Sequence, residues 1–176
     1  MLIKDIYTYF SRFVPREALG GSFLAPMAGG YQSFRTAIMA HDDTRRIAGI
    51  TAYVFGIDEE SVQQRLSSIK GMYLFIDYGS IRSDISSLDV KTDRMDLAVT
   101  VAAPTASGID QPSLALLQDE CLQALSTIRR TMRNDYEAGM EWLPFGSSEL
   151  RPFTARGLAN SFGWTLNVTV EGVDIV

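Results

Sequence analysis

The run Met95-Asp96-Leu97-Ala98-Val99-Thr100-Val101 decides how this chain folds. Met95, Leu97, Val99 and Val101 are apolar and stand at every second position, the pattern of a half-buried strand. Pro104 and Gly108 interrupt the alternation. Leu114, Leu117, Cys121, Leu125, Ile128 and Met132 then recur at spacings of three and four, which is one stripe of a helix. A strand therefore feeds a helix through a short polar loop, and both must be buried against the same core.

The remaining apolar segments are placed against this pair. Downstream, Trp164, Leu166, Val168 and Val170 alternate with Thr165, Asn167, Thr169 and Glu171, between Gly163 and Gly172, and predict a closing strand. The stretch from Trp142 to Leu158 carries Pro144, Gly146, Pro152 and Gly157 and reads as loop, with a short strand near Leu150 to Thr154. Upstream, Met72 to Ile81 reads as a strand. Tyr73, Phe75 and Asp77 lie on one face, with Met72, Leu74, Ile76 and Tyr78 on the other. Gly79-Ser80 is expected to begin a turn. Arg82 to Asp93 reads as an exposed hairpin arm carrying Ile85, Leu88 and Val90.

At the start, Leu2, Ile3, Ile6, Phe10 and Phe13 fall at helical spacing before Pro15. Tyr7, Tyr9, Phe10 and Phe13 are expected either to fill the core or to dock on another chain, since interface cores favour aromatics. Gly20 to Tyr31 is rich in breakers and reads as a long loop, an arm that reaches a neighbour. Its glycine pairs lack the Lys-Ser/Thr that a phosphate-binding loop requires. From Gln32 to Ile57, Phe34, Ala37 and Ile38 suit a short helix. Ile47, Ile50, Tyr53 and Val54 suit a helix capped by Asp42 or Asp43, and Ile50 to Phe55 suits a buried strand equally well. Asp58 as N-cap, the stripe Val62, Leu66 and Ile69, and Gly71 as the stop predict a further helix. The expected fold is one α+β domain over residues 1–176: an antiparallel sheet of about four strands with helices packed on one face. Its core is residues 2–14 and 71–176, with a helical or loop insertion at 15–70.

The composition is that of an ordinary globule, 46% hydrophobic and 21% charged, enough apolar material for one core in 176 residues. Lys plus Arg is 16 and Asp plus Glu is 21, a net charge of -5. An acidic chain gains little from releasing counterions on a nucleic acid, so non-specific DNA or RNA binding is disfavoured, and no sequence-specific nucleic-acid partner is expected. No stretch is apolar for long enough to span a bilayer, and Lys4 and Asp5 interrupt the first apolar run, so neither a membrane nor a signal peptide is expected. Cys121 is the only cysteine and lies on the helix stripe, where it reads as a small buried hydrophobe in a reducing setting. Asn167-Val168-Thr169 matches a glycosylation sequon, read as chance without secretion.

No catalytic set stands out. Triads and metal sites nearly always use histidine, and His41, the single one, has no companion and reads as solvated beside Asp42 and Asp43. Asp77, Asp84, Asp89, Asp93 and Asp96 are the carboxylates available for acid/base work, on positions expected to be solvated. The spacing of Asp84, Asp89 and Asp93 does not match a calcium loop. The chain is therefore expected to be no enzyme and to need no cofactor or metal. Arg129, Arg130 and Arg133 form a basic patch read at a helix end, where the dipole favours cations. The expected contact surface is Arg82, Asp84 and Asp89 on the hairpin, with Arg129, Arg130 and Arg133 on the helix.

The order of elements resembles the tail terminator, or tail completion, proteins of long-tailed bacteriophages. The matching stretches are Leu2–Val14, Tyr73-Leu74-Phe75-Ile76-Asp77-Tyr78-Gly79, Asp96-Leu97-Ala98-Val99-Thr100-Val101-Ala102, the helix from Ser113 to Met132, and Trp164-Thr165-Leu166-Asn167-Val168-Thr169-Val170. Pro15–Lys70 departs from the family, being longer than its usual link between first helix and first strand. The resemblance implies a helix, a β-hairpin, a helix packed on the sheet and a final strand. It also implies copies assembling into a ring, commonly a hexamer, that caps the tail tube and joins it to neck or connector proteins. The setting would be the virion, or the host cytoplasm during assembly. The rival expectation is a small-molecule or peptide-binding α+β module with its pocket between sheet and helix.

Overall fold

A computed structural model describes residues 3–20, 23, 29–42, 44–56, 68–85, 91–143, 148–155 and 160–172. Its centre is the strand–helix pair expected from the opening run. Strand β3 (Lys91–Pro104) buries Met95, Leu97, Val99 and Val101 on one face. Helix α4 (Gln111–Glu137) lays Cys121, Leu125, Ile128 and Met132 over that face. The helix begins where the chemistry allows. Asp110 accepts a hydrogen bond from the Ser113 N–H at 2.9 Å, and Pro112 sits in the first turn, where its missing N–H costs nothing. Leu114 and Leu117 are only half-buried, so the apolar stripe is covered from Cys121 onward.

The class is α+β, with a mixed sheet of five strands in the order β1-β2-β3-β5-β4. Strand β2 (Met72–Ile85) pairs antiparallel with β3, β3 with β5 (Ser161–Gly172), and β5 with β4 (Ser148–Ala155). Strand β1 (Ile50–Phe55) pairs parallel with β2 and makes the fifth strand, where about four antiparallel ones were expected. A parallel neighbour needs a long crossover rather than a tight turn. The helix expected from Asp58 would lie in that connection, but residues 57–67 are outside those described.

Residues 15–70 are thus more than an appendage. They supply α2 (Arg16–Gly20), α3 (Tyr31–Met39) and β1, and Leu19, Ile38, Ile50 and Tyr53 are buried in the main core. The choice left open for Ile50 to Phe55 goes to strand, because the β2 edge offers backbone partners from Met72 to Ile76. Most of the expected Gly20–Tyr31 arm lies outside the described residues. Of it, Phe23 stacks on Tyr7 and Tyr31 within the chain.

The first helix, α1 (Ile3–Ser11), buries Ile6, Tyr9 and Phe10, and the turn after it buries Phe13 and Val14. The aromatics that could have docked on another chain are used internally. Tyr7 packs against Phe34, Tyr53 and Phe55 with ring centroids 5.4, 4.9 and 5.1 Å apart. The Tyr53 hydroxyl donates to the Tyr7 carbonyl at 3.1 Å. Each fully buried Phe, Leu or Ile contributes roughly 1.5–3 kcal/mol of apolar transfer, so α1 is held by tertiary burial more than by its own nine residues.

Two other expectations are corrected. Gly79-Ser80 is no turn: the β2–β3 register shifts between Tyr78 and Ile81, a bulge that bends the strand while it runs on to Ile85. Asp93, expected to be solvated, is fully buried and accepts a hydrogen bond from Ser83 Oγ across the hairpin.

A polar clamp fixes the last turns of α4. Asp135 accepts hydrogen bonds from Arg45 Nη1, from Arg45 Nη2 at 2.8 Å and from the Tyr9 hydroxyl at 2.8 Å. It ties α1, the 44–49 segment and α4 together. Burial, reinforced by the Asp135 carboxylate, pushes the Tyr9 hydroxyl far above the usual tyrosine range, so it stays a donor. Replacing Asp135 by Ala leaves a guanidinium and a phenol unpaired. The expected loss is about 2 kcal/mol, less than for a fully buried pair because Arg45 keeps part of its side chain in solvent. Tyr9→Phe should cost about 1 kcal/mol. Urea unfolding of both variants measures the two losses; equal stability of wild type and Asp135→Ala would remove the clamp from the account.

Candidate functional site

Strand alternation gives the sheet a second face, turned away from α1 and α4. Register places its residues in rows across β2, β3, β5 and β4. Tyr73, Ala102, Gly163 and Phe153 form one row; Phe75, Thr100, Thr165 and Arg151 the next; Asp77, Ala98, Asn167 and Glu149 the third. The first row is apolar and tight, with Tyr73 and Ala102 buried in a small cluster that Phe153 joins. A Cβ on Gly163 would sit 2.1 Å from the Val101 carbonyl oxygen, so only glycine permits this approach of β5 to β3. Burial pushes the Tyr73 hydroxyl up to about 12.

Beyond that row the face opens into a concavity of about 550 Å³, lined by Asp77, Asp96, Asn167, Thr169, Glu149 and Arg151 among others. Its floor is made of small and hydroxylic residues. Gly79, Ala98, Ser148 and Thr169 contribute, and Thr169 Oγ1 donates to Asp96 Oδ1 at 3.0 Å; in the neighbouring row Thr100 and Thr165 share a hydrogen bond of 2.7 Å. Glu149 and Arg151 form an exposed ion pair at 2.7 Å, which holds the Glu149 carboxyl below its usual range. Desolvation raises the Asp77 carboxyl, half-buried beside Ala98. Three carboxylates against one guanidinium make the hollow acidic. It can accept hydrogen bonds from ammonium, guanidinium or amide groups. It is also on the opposite side from the expected pocket between sheet and helix, where the core residues are fully buried.

The residues expected to make contacts fall into two groups. Arg82 is exposed on β2, opposite Arg94 of β3. Asp84 stands opposite Thr92 in the backbone register, and Asp89 lies outside the described residues. Arg129, Arg130 and Arg133 are all exposed on α4, but the helix runs on to Glu137, so they do not sit in its last turn and the end-dipole reading falls away. Arg133 pairs with Glu137 at 2.9 Å, an exposed pair of little weight. Among the described residues no hydrogen bond or ion pair joins Arg82 to these three. The concave face itself was passed over in the sequence, because Asp77 and Asp96 read as ordinary outward strand positions. The available signal was the coincidence of small or polar residues on the outward side of three strands.

Two lone residues resolve differently. Cys121 is fully buried and its thiol is pushed up to about 11, mainly by burial, which makes it an inert hydrophobe. His41 is not solvated as expected. It is half-buried, and burial together with the neighbouring Arg12 lowers its titration below the ordinary histidine value. Among the described residues, no helix is long and apolar enough to cross a membrane, and no three His, Cys, Asp or Glu side chains converge as metal ligands do.

Compared with protein-family models, with curated proteins and with solved structures, the chain matches none of them.

The raised Asp77 carboxyl has a direct consequence for stability. Between its ordinary 3.8 and the higher folded value, the native state holds a proton that the unfolded state has lost, so stability falls as pH climbs through that window. Asp77→Asn should therefore raise Tm at neutral pH, and the gain should vanish once the pH drops below the ordinary value. Thermal melts of both proteins across about pH 3 to 7 test this; a gain that does not change with pH would contradict it.

Proposed function

We infer that this chain is a structural assembly protein of a phage or prophage, of the tail terminator or neck kind, that works by joining copies of itself into a ring. The observation that carries this reading is the architecture. A helix, a long hairpin, a second helix and a final strand follow one another, with both helices on one face of the sheet and a concavity on part of the other. That is the element order implied by the resemblance, with α2, α3, β1 and β4 added.

The geometry supplies surfaces suited to such a ring. Closure by a heterologous contact needs two different patches on each subunit. The end of the β2–β3 hairpin is one. It outruns β1, whose pairing ends at Ile76, and β4, whose pairing starts opposite Val168, and it exposes Ile81 and Arg82. The outer face of α4 is the other. Leu116, 68% exposed, and Tyr136 stand there with Arg129, Arg130 and Arg133. Mixed aromatic, aliphatic and arginine patches suit interface cores, and the arginines complement an acidic chain. The acidic hollow suits a lumen wall that lets DNA pass without gripping it.

The concavity favours a second reading, a binding module for a cationic or amide-bearing ligand, with no catalysis. The two are separated by light scattering and electron microscopy on the purified protein, alone and mixed with phage tail tubes. Ring formation predicts closed multimers or capped tubes, weakened about tenfold or more by the double reversal Arg129→Glu/Arg130→Glu. A protein that stays monomeric, leaves tubes uncapped and binds a small cation tightly through Asp77 would replace the first reading by the second.

A further inference from the structure

We draw no further inference here: the strongest candidate, the acidic hollow on the second face of the sheet around Asp77, Asp96 and Glu149, belongs to the site already described, and among the described residues no fully buried side chain lacking a partner lines it.

Discussion

One apolar surface governs this molecule: the side of the sheet formed by Leu74 and Ile76 of β2, Met95 to Val101 of β3, and Leu166, Val168 and Val170 of β5. None of these strands can remain in water with that side bare, because each buried aliphatic contributes on the order of 2 kcal/mol only if the whole face is covered at once. Helix α4 covers the part over β3 and β5, and α1 with its following turn covers much of the rest. Helices α1 and α4 both lie on this side, while the second face is buried around Tyr73, Ala102 and Thr100 and concave around Asp77, Asp96 and Asn167.

The two halves of the core are joined in different ways. Strands β2, β3, β5 and β4 are bound by antiparallel ladders. The N-terminal third is attached through aromatic packing around Tyr7 and through the Asp135 clamp. Aromatic contacts are large but tolerant of direction, whereas a carboxylate that accepts from both a guanidinium and a phenol sets orientation. The clamp therefore fixes Arg45 of the 44–49 segment just ahead of β1, whose own ladder with β2 completes the attachment.

Electrostatics divides the surface along the same lines. The open face carries Asp77, Asp96 and Glu149 against Arg151. The helix side carries the arginines of α4, and the end near α2 carries Arg12, Arg16 and Arg46 around His41. Within a net charge of -5 the carboxylates outnumber the cations around the hollow, while arginines cluster on part of α4 and near α2.

Much of this was legible in the chain itself. The alternation in β3 and β5 and the stripe on α4 are local periodicities, and periodicity survives whatever the rest of the protein does. The α+β class, the buried Cys121 and the short strand near Leu150 follow from it. Even Asp135 lay on the helix stripe, three residues after Met132, although nothing local identified Arg45 and Tyr9 as its partners. Three matters required the tertiary structure: whether Ile50–Phe55 was strand or helix, whether Asp93 and His41 faced water, and which polar residues met on the open face. The physical reason is common to all three. Each depends on what another segment, distant along the chain, presents at that point in space: the free edge of β2, the Ser83 hydroxyl, Arg12 after α1 and Arg16 of α2, or the register of four strands. Local pattern sets which side of an element is greasy, and only the packed assembly decides what each polar side touches.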